Sequence, residues 1–451
     1  MITGQKILIL GAGKEGVSAA IFLGDENEVS LYDDKKDPEL DKSVFKNLKT
    51  KPKYFFSSLP NKEKFNLVVR SPGVRPDHPV IKRLVKQGSQ LTTPTNIFFD
   101  LCPCPIIGVT GTKGKGTTST LIFEMLKSQF SLVFLGGNIG IPALDILPQL
   151  NKNCIAVLEL SSFQLIDLKI SPHVAVVLML TEEHLDWHLD AQDYLEAKKS
   201  IIKFQGDSDF AIINIDYPES YKFVKLTKGE TFLISTKTKT NGAYLVKGEI
   251  ECAVVQKEII CKTGEVLLPG KHNLENVLAA VTVAKLEGIT AQNIKNVLTS
   301  FKGLKHRLEL VKVVKGVRYY NDSYSTTPET AIAAIEAFPK TPKILILGGS
   351  SKKSNFSSLA GVITRDTFIK KLILIGEEAE RIKSEISKKG RFKVEIVEKL
   401  KNMKDIVQEA GKFAKRGEVI ILSPACASFD MFKNYEDRGE QFIKAVENLK
   451  N

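Results

Sequence analysis

Pro105-Ile106-Ile107-Gly108-Val109-Thr110-Gly111-Thr112-Lys113-Gly114-Lys115-Gly116-Thr117-Thr118 is the stretch on which the reading of this chain turns. The apolar run predicts a strand, the glycines a tight turn, and Leu121-Ile122-Phe123-Glu124-Met125-Leu126 a helix. Glycines let successive backbone N–H groups face one anion, and a helix N-terminus adds partial positive charge. Lys115 can reach the outer phosphates of a nucleotide, so the expected ligand is ATP, held by Gly111, Thr112, Lys113, Gly114, Lys115, Gly116 and Thr117. The strict phosphate-loop spacing is not met. Gly108 lies one residue too far upstream, and Gly116 follows Lys115 where a serine or threonine is usual. Thr117 or Thr118 must then supply any hydroxyl for Mg²⁺, with Thr117 the expected ligand. A glycine turn with no ligand is the competing reading, and the lysine and two threonines between strand and helix weigh against it.

Upstream, Lys6-Ile7-Leu8-Ile9-Leu10 predicts a strand that enters Gly11-Ala12-Gly13-Lys14-Glu15-Gly16, and Glu28 to Tyr32 a second strand ending at Asp33. This has the form of a dinucleotide fingerprint, in which Gly13, Lys14 and Glu15 face a diphosphate and Asp33 a ribose hydroxyl. The same turn can hold any diphosphate. A third strand, Asn66 to Arg70, runs into Ser71-Pro72-Gly73, another turn at a strand's C-terminal end, where ligands bind in such sheets. Prolines between Pro94 and Pro105 suggest a boundary.

Downstream, strands Ser131 to Leu135, Ile155 to Leu158 and Val174 to Leu178 lead into Gly136-Gly137-Asn138, Glu159-Leu160-Ser161-Ser162-Phe163-Gln164 and Thr181-Glu182-Glu183-His184. Near-continuous apolar strands alternating with helices predict a parallel sheet buried on both faces. Its C-terminal edge would gather Lys115, Asn138, Glu159 and His184 around one site. A carboxylate ending a central strand beside a phosphate loop reads as a magnesium ligand more readily than as a structural acid. His184 and His188 flank Asp186, but without an H-E-x-x-H helix or a third nearby ligand they argue against zinc. Residues 230–268 predict short hairpins, and Gly270 to Asn276 the cap of a helix running from Val277 to Leu286. Past Phe301, a hairpin around Lys315-Gly316 and strands near 344–347, 372–375 and 419–422, alternating with helices, predict a further doubly wound sheet.

A chain of 451 residues is too long for one ordinary core. The expectation is an α/β protein of three domains: Rossmann-like at 1–97, a central P-loop ATPase domain with a parallel sheet at 98–302, and Rossmann-like again at 303–451. The balance of 64 Lys and Arg against 52 Asp and Glu gives a net charge of +12. The lysines are scattered and no arginine-rich, aromatic-interleaved strip is present, which argues against a nucleic-acid partner. Six cysteines without C-x-x-C pairing read as reduced thiols. No apolar run reaches membrane-spanning length and the first 30 residues are no signal peptide, so a cytoplasmic protein without membrane insertion is expected.

Taken together, these motifs resemble the ATP-dependent Mur ligases of peptidoglycan synthesis across nearly the whole chain. The resemblance rests on Gly108 to Lys115, Gly137-Asn138-Ile139-Gly140, Leu158 to Leu165, Thr181 to Asp186 and His272 to Asn276. The run from Leu422 to Gly439 is similar to the D-glutamate-adding members. The resemblance implies a monomeric, ADP-forming ligase that joins D-glutamate to UDP-N-acetylmuramoyl-L-alanine through an acyl phosphate. It implies that Asp33, Ser71, Pro72, Gly73 and Asn138 surround the UDP-substrate, and that Lys115, Lys198 and His184 are catalytic. Glu159 and His184 would hold Mg²⁺, two ions in all, beside Lys198 as an N-carbamate. Asn273, Asn276, Arg307 and Asp322 would contact ATP; Thr326, Lys352, Ser428 and Tyr435 would line the glutamate pocket.

This sequence departs from the family pattern at Gly116 and at Tyr324, which stands where the pattern Asn-Asp-Ser-Lys-Ala-Thr has lysine. The alternatives are a sister Mur ligase, a ligase similar to folylpolyglutamate synthase, an NAD-dependent oxidoreductase and a nucleic-acid-stimulated ATPase. The oxidoreductase would leave Lys115 and Glu159 without a role.

Overall fold

Val, Ile and Leu fill the strands that follow so completely that both faces must be covered, and helices between them supply the cover. The computed structural model describes residues 2–183, 187–390 and 394–450. They form two compact units, one of Met1–Thr263 with Glu275–Val297 and one of Gly264–Leu274 with Leu298–Asn451.

The first unit holds three sheets. Strands β1 (Lys6–Leu10), β2 (Glu28–Asp33), β3 (Lys53–Phe56), β4 (Leu67–Arg70) and β5 (Gln90–Thr92) form a parallel sheet in the order β3-β2-β1-β4-β5. The order reverses between β1 and β4, so the turns after these two strands open a crevice at their carboxyl ends. Gly16 shows why this turn needs glycine: a Cβ there would lie 1.9 Å from the Gly11 carbonyl oxygen and 2.7 Å from Ser71 Oγ.

Strands β6 (Ile106–Thr110), β7 (Val133–Gly137), β8 (Ile155–Glu159), β9 (Val174–Val177), β10 (Phe210–Asn214) and β11 (Glu230–Ile234) form a second parallel sheet, ordered β11-β10-β9-β6-β8-β7. β6 is central, which places the phosphate loop at the middle of the sheet's C-terminal edge. The third sheet is antiparallel, of β12 (Ala243–Val246), β13 (Glu249–Cys252) and β14 (Glu258–Lys262).

The first two sheets are tied together by Arg70, whose side chain is fully buried. Its Nε donates to Asp167 Oδ2 at 2.7 Å, and its terminal nitrogens donate to the carbonyls of Val74 and Phe163 at 2.6 and 3.0 Å. A guanidinium without these partners would be costly to bury; with them it fixes the two sheets in register.

In the second unit, β15 (Glu309–Val314), β16 (Val317–Asn321), β17 (Lys343–Gly348), β18 (Ile369–Ile375), β19 (Glu395–Val397) and β20 (Val419–Leu422) are ordered β15-β16-β20-β17-β18-β19. All pairs are parallel except β15 with β16, the expected hairpin, whose turn residues Lys315 and Gly316 have φ of 50° and 79°.

Several expectations need correction. Residues Glu230–Ile234 are not part of a hairpin but the edge strand of the central parallel sheet. The strand expected at 131–135 is shifted to Val133–Gly137, where Gly137 pairs with Glu159. The proline-punctuated stretch contains a helix, Pro94–Leu101, because Thr93 caps it by accepting from Asn96 N and Pro94 occupies the first turn. Finally, the segment read as a helix cap is itself helical, the helix running Lys271–Leu286 behind Gly270 at φ 94°. Residues 272–276 contain no glycine or proline to stop it.

All six cysteines are free thiols. Among the described residues no helix is long and apolar enough to cross a membrane.

Candidate active site

The crevice after β1 and β4 opens into a cleft of about 1130 Å³. Its walls include the Gly13, Lys14, Glu15, Asp33, Ser71, Pro72, Gly73 and Asn138 expected for the UDP-substrate, and also Tyr32, Asp34, Lys35, Arg75, His78 and Trp187. Asp33 is partly committed, since its Oδ2 accepts from Ala12 N at 2.9 Å and its Oδ1 from Lys35 N at 3.0 Å. Ser71 Oγ donates to Gly11 O at 3.0 Å, locking the two turns together. The far wall is fastened by Trp187, whose indole N–H donates to Gly73 O at 3.2 Å while its own carbonyl accepts from Arg75 at 2.7 Å. Glu15 accepts from Gln164 Nε2 at 2.5 Å, and burial pushes its carboxyl up to about 7. In its neutral form it can face a diphosphate without repelling it.

At the edge of the second sheet, the helix Lys115–Lys127 starts from Gly114 at φ 86°. A Cβ on Gly114 would lie 2.1 Å from Asn276 Oδ1, so the loop is seated directly against that asparagine. Thr112 Oγ1 donates to Thr181 O at 2.9 Å and lies 3.0 Å from the Tyr194 hydroxyl. Lys115 Nζ folds back onto the carbonyls of Gly111 and Thr112 at 2.9 and 3.1 Å. Lys198 arrives from the helix Ala191–Lys203 and donates to the same Gly111 carbonyl at 3.1 Å and to Thr110 Oγ1 at 3.2 Å. Two lysine nitrogens thus converge on one carbonyl oxygen. Burial, and after it the charge of Lys115, hold Lys198 well below the usual lysine range, and its neutral amine is favoured.

Glu159 ends β8, buried, and accepts from Asn138 Nδ2 at 2.6 Å. Its other carboxylate oxygen adds a hard donor of the kind Mg²⁺ prefers. Thr117 is half-buried, whereas Thr118 is fully buried and its hydroxyl donates to Asn276 Oδ1 at 3.3 Å. Thr117→Val is therefore expected to raise the Mg²⁺ concentration for half-maximal activity, and Thr118→Val to leave it unchanged. Magnesium titration of the two variants checks this, and the reverse order would mean the register is wrong. Lys113 is exposed and paired with Glu183, and His184 lies outside the described residues. His188 is engaged at both ring nitrogens, with Asp193 Oδ2 and Ser162 Oγ, each at 2.9 Å.

In the second unit, Asp322 is buried with its carboxylate accepting from Leu308 N at 3.1 Å and from Ser423 Oγ at 2.7 Å. Burial raises its carboxyl to about 7. Arg307 lies over the ring of Tyr324, with its guanidinium carbon 3.9 Å from the ring centroid. Lys352 Nζ reaches Thr326 Oγ1 at 3.4 Å, bringing together two of the four residues expected for glutamate. Ser428 is buried in the turn before Phe432, and the Tyr435 hydroxyl donates to Glu436 at 3.1 Å. Asn273 Nδ2 donates to Pro269 O at 2.7 Å.

A model of the Mur ligase MurD-like N-terminal domain matches residues 5–93, the Mur ligase middle domain residues 109–284, and the Mur ligase glutamate ligase domain residues 306–426. The chain is 36% identical over 458 residues to a UDP-N-acetylmuramoylalanine--D-glutamate ligase of Acetivibrio thermocellus, covering 99% of this chain and 97% of that one. The chain belongs to the Mur ligase family. A second ligase of the same name, from Streptococcus thermophilus, is 35% identical over 450 residues, covering 99% of this chain and 98% of its own. Among solved structures, the UDP-N-acetylmuramate-alanine ligase of Thermotoga maritima shares the Mur ligase fold at a TM-score of 0.61 and 18% identity, covering 99% of this chain and 100% of that one. The MurF ligase of the same organism, in complex with ADP, does so at 0.57 and 19%, covering 99% and 96%.

The sequence reading missed Tyr32, Asp34, Lys35, Arg75, His78 and Trp187 among the walls of the cleft. Trp187 had a signal, as the chain's one tryptophan in the polar run His184 to Asp190. The Glu15–Gln164 and Arg70–Asp167 links had none, since each joins residues about a hundred or more positions apart.

Proposed function

We infer that this Mur ligase joins D-glutamate to UDP-N-acetylmuramoyl-L-alanine at the expense of ATP, in cytoplasmic peptidoglycan precursor synthesis. The observation that carries the choice of amino acid is identity of 36% over essentially the full chain to a ligase of that name. The geometry supports the chemistry. A diphosphate-sized cleft lies in the same unit as a phosphate loop, and Asn138 lines the cleft while hydrogen-bonded to Glu159. Domain limits of 1–97, 98–302 and 303–451 and a monomeric state belong to the same reading.

A carboxylate does not react with an amine in water until it is activated. The substrate carboxylate oxygen attacks the γ-phosphorus of ATP, ADP leaves, and an acyl phosphate forms. The D-glutamate amine then attacks the acyl carbon, and phosphate departs with the former carboxylate oxygen. Lys115 neutralises charge on the transferring phosphoryl, while Asn276 braces the phosphate loop. Glu159, Thr117, His184 and a carbamate on Lys198 would hold two Mg²⁺ ions, which when bound supply further charge neutralisation on the phosphates. The donor set fits: Glu159 offers a carboxylate oxygen, Thr117 a half-buried hydroxyl, and the neutral amine of Lys198 is the form that adds CO₂. Arg307, Asn273 and Asp322 contribute to ATP binding. Asp322 does so by fixing the Leu308 and Ser423 segments through its buried carboxyl.

Lys352, with Thr326, Ser428 and Tyr435, recognises D-glutamate. Lys353 follows at φ 57° and is exposed. Lys352→Ala is expected to raise the KM for D-glutamate by about 10- to 150-fold, equivalent to the ~1.5–3 kcal/mol of a hydrogen bond to a charged group. The KM for the UDP-substrate should hardly move, and Lys353→Ala should behave as wild type. Steady-state kinetics of both variants checks the pocket, and a glutamate defect confined to Lys353→Ala would refute it.

The function is tested by phosphate release with ATP, UDP-N-acetylmuramoyl-L-alanine and each candidate amino acid in turn. Release with D-glutamate well above the others is expected; equal or greater release with another amino acid would reassign the chain to a sister ligase.

A further inference from the structure

Glu15 stands in the first turn of the helix Lys14–Gly24, directly after the glycine turn, and lines the cleft. One of its oxygens is committed and the other is not. Gln164 is buried, and its Oε1 accepts from Ser161 N and Ser161 Oγ at 2.9 and 3.0 Å, which fixes the two ends of the amide. Its Nε2 is left to donate to Glu15 Oε1, at 2.5 Å. Among the described residues Glu15 Oε2 has no hydrogen bond, and Glu15 has no ion pair. A proton on this carboxyl therefore belongs on Oε2, where it can be donated into the cleft.

Few charges stand around the carboxyl. Arg70, ending β4, is taken by Asp167 and by the carbonyls of Val74 and Phe163. Asp145, on the helix Ala143–Ile146, accepts from Ser18 Oγ at 2.5 Å. Lys14 beside Glu15 is exposed, Asp33 on β2 accepts from Ala12 N and Lys35 N, and His78 pairs with Asp34. Burial pushes the Glu15 carboxyl up to about 7 against the hydrogen bond from Gln164 and the charge of Arg70, and Asp145 adds to the rise.

We propose that Glu15 is a proton-dependent binding residue for the diphosphate of the UDP-substrate: as the neutral acid it donates from Oε2 to a phosphate oxygen, and as the carboxylate it repels the same group. An ionised Glu15 also competes with the phosphate for the positive end of the helix on which it sits. Wherever the free enzyme holds Glu15 ionised, the substrate binds together with one proton taken from solvent. This deepens the reading of the cleft as the UDP-substrate site and rests on it.

The test is calorimetric binding of UDP-N-acetylmuramoyl-L-alanine to the full chain across neutral pH, without ATP or D-glutamate, in paired buffers of different ionisation enthalpy. As the pH rises through about 7, the wild-type Kd should climb, by up to roughly tenfold per pH unit, and proton uptake should climb towards one per site. Glu15→Gln is neutral at every pH and keeps a donor, so its Kd should be level over the same range and its proton uptake should vanish. Glu15→Ala should be equally level but weaker than Glu15→Gln by roughly tenfold or more, the worth of a hydrogen bond to a charged group. Wild-type binding that is level in pH and takes up no proton would overturn the proposal without any variant. So would equal affinity of the Gln and Ala variants, or a pH dependence that survives Glu15→Gln and so belongs to another group such as His78, which also lines the cleft. If the UDP-substrate binds at no pH, the reading of the cleft falls and the proposal with it; binding without a proton removes the proposal alone.

Discussion

Lys115→Ala is expected to lower kcat by roughly 30- to 1000-fold, a loss of ~2–4 kcal/mol of transition-state stabilisation. The reason is geometric. Lys115 is held by the carbonyls of Gly111 and Thr112, at the mouth of the turn whose N–H groups would cradle a phosphate. Removing it leaves the transferring phosphoryl without its nearest fixed charge, and the loop backbone alone does not replace that charge. Lys113→Ala should cost far less, since Lys113 is exposed and already paired with Glu183. Single-turnover phosphate release separates this defect from weakened ATP binding. Near-normal turnover by Lys115→Ala would show that the phosphate site lies elsewhere.

A loss of comparable size is expected for Lys198→Ala, for a different reason. The Lys198 amine is fully buried, shares the Gly111 carbonyl with Lys115, and has its pKa held well below the usual lysine range by burial and then by Lys115. Only the neutral amine adds CO₂, and a carbamate there sets an anion beside the Lys115 ammonium, an attraction that favours it. The sign follows: the carbamate is retained while the pH stays above the lowered amine pKa and is lost as the pH falls through it. Activity should therefore drop on acidification in parallel with the carbamate signal from isotopically labelled bicarbonate, and should recover with added bicarbonate. Full activity of Lys198→Ala, or an active enzyme carrying an unmodified Lys198, would contradict this.

Local signals in the sequence were enough for the strands that lead into the glycine turns. The runs Lys6 to Leu10 and Ile106 to Thr110, each followed by glycines, define the two strand-to-helix turns at which the cleft and the phosphate loop lie. Lys115, Asn138 and Glu159 each end or follow a strand of one parallel sheet, so strand order was enough to put them at one edge, whereas Lys198, within the helix Ala191–Lys203, entered only through the family resemblance. What escaped depended on neighbours distant in the chain. Glu230–Ile234 is an edge strand because β10 offered it a parallel partner, not because of anything in its own five residues. The extra turn of the helix Lys271–Leu286 arises because the polar residues 271–276 form part of its first turns, where composition suggested only a cap. The stacking of Arg307 on Tyr324 was hidden in a substitution that read simply as a missing charge.

The most direct measurement of the central claim is the fate of a heavy-oxygen label placed in the carboxylate of UDP-N-acetylmuramoyl-L-alanine during turnover with ATP and D-glutamate. Activation through an acyl phosphate predicts one labelled oxygen in each phosphate released, with one left in the new amide carbonyl. Unlabelled phosphate alongside amide product would contradict the account.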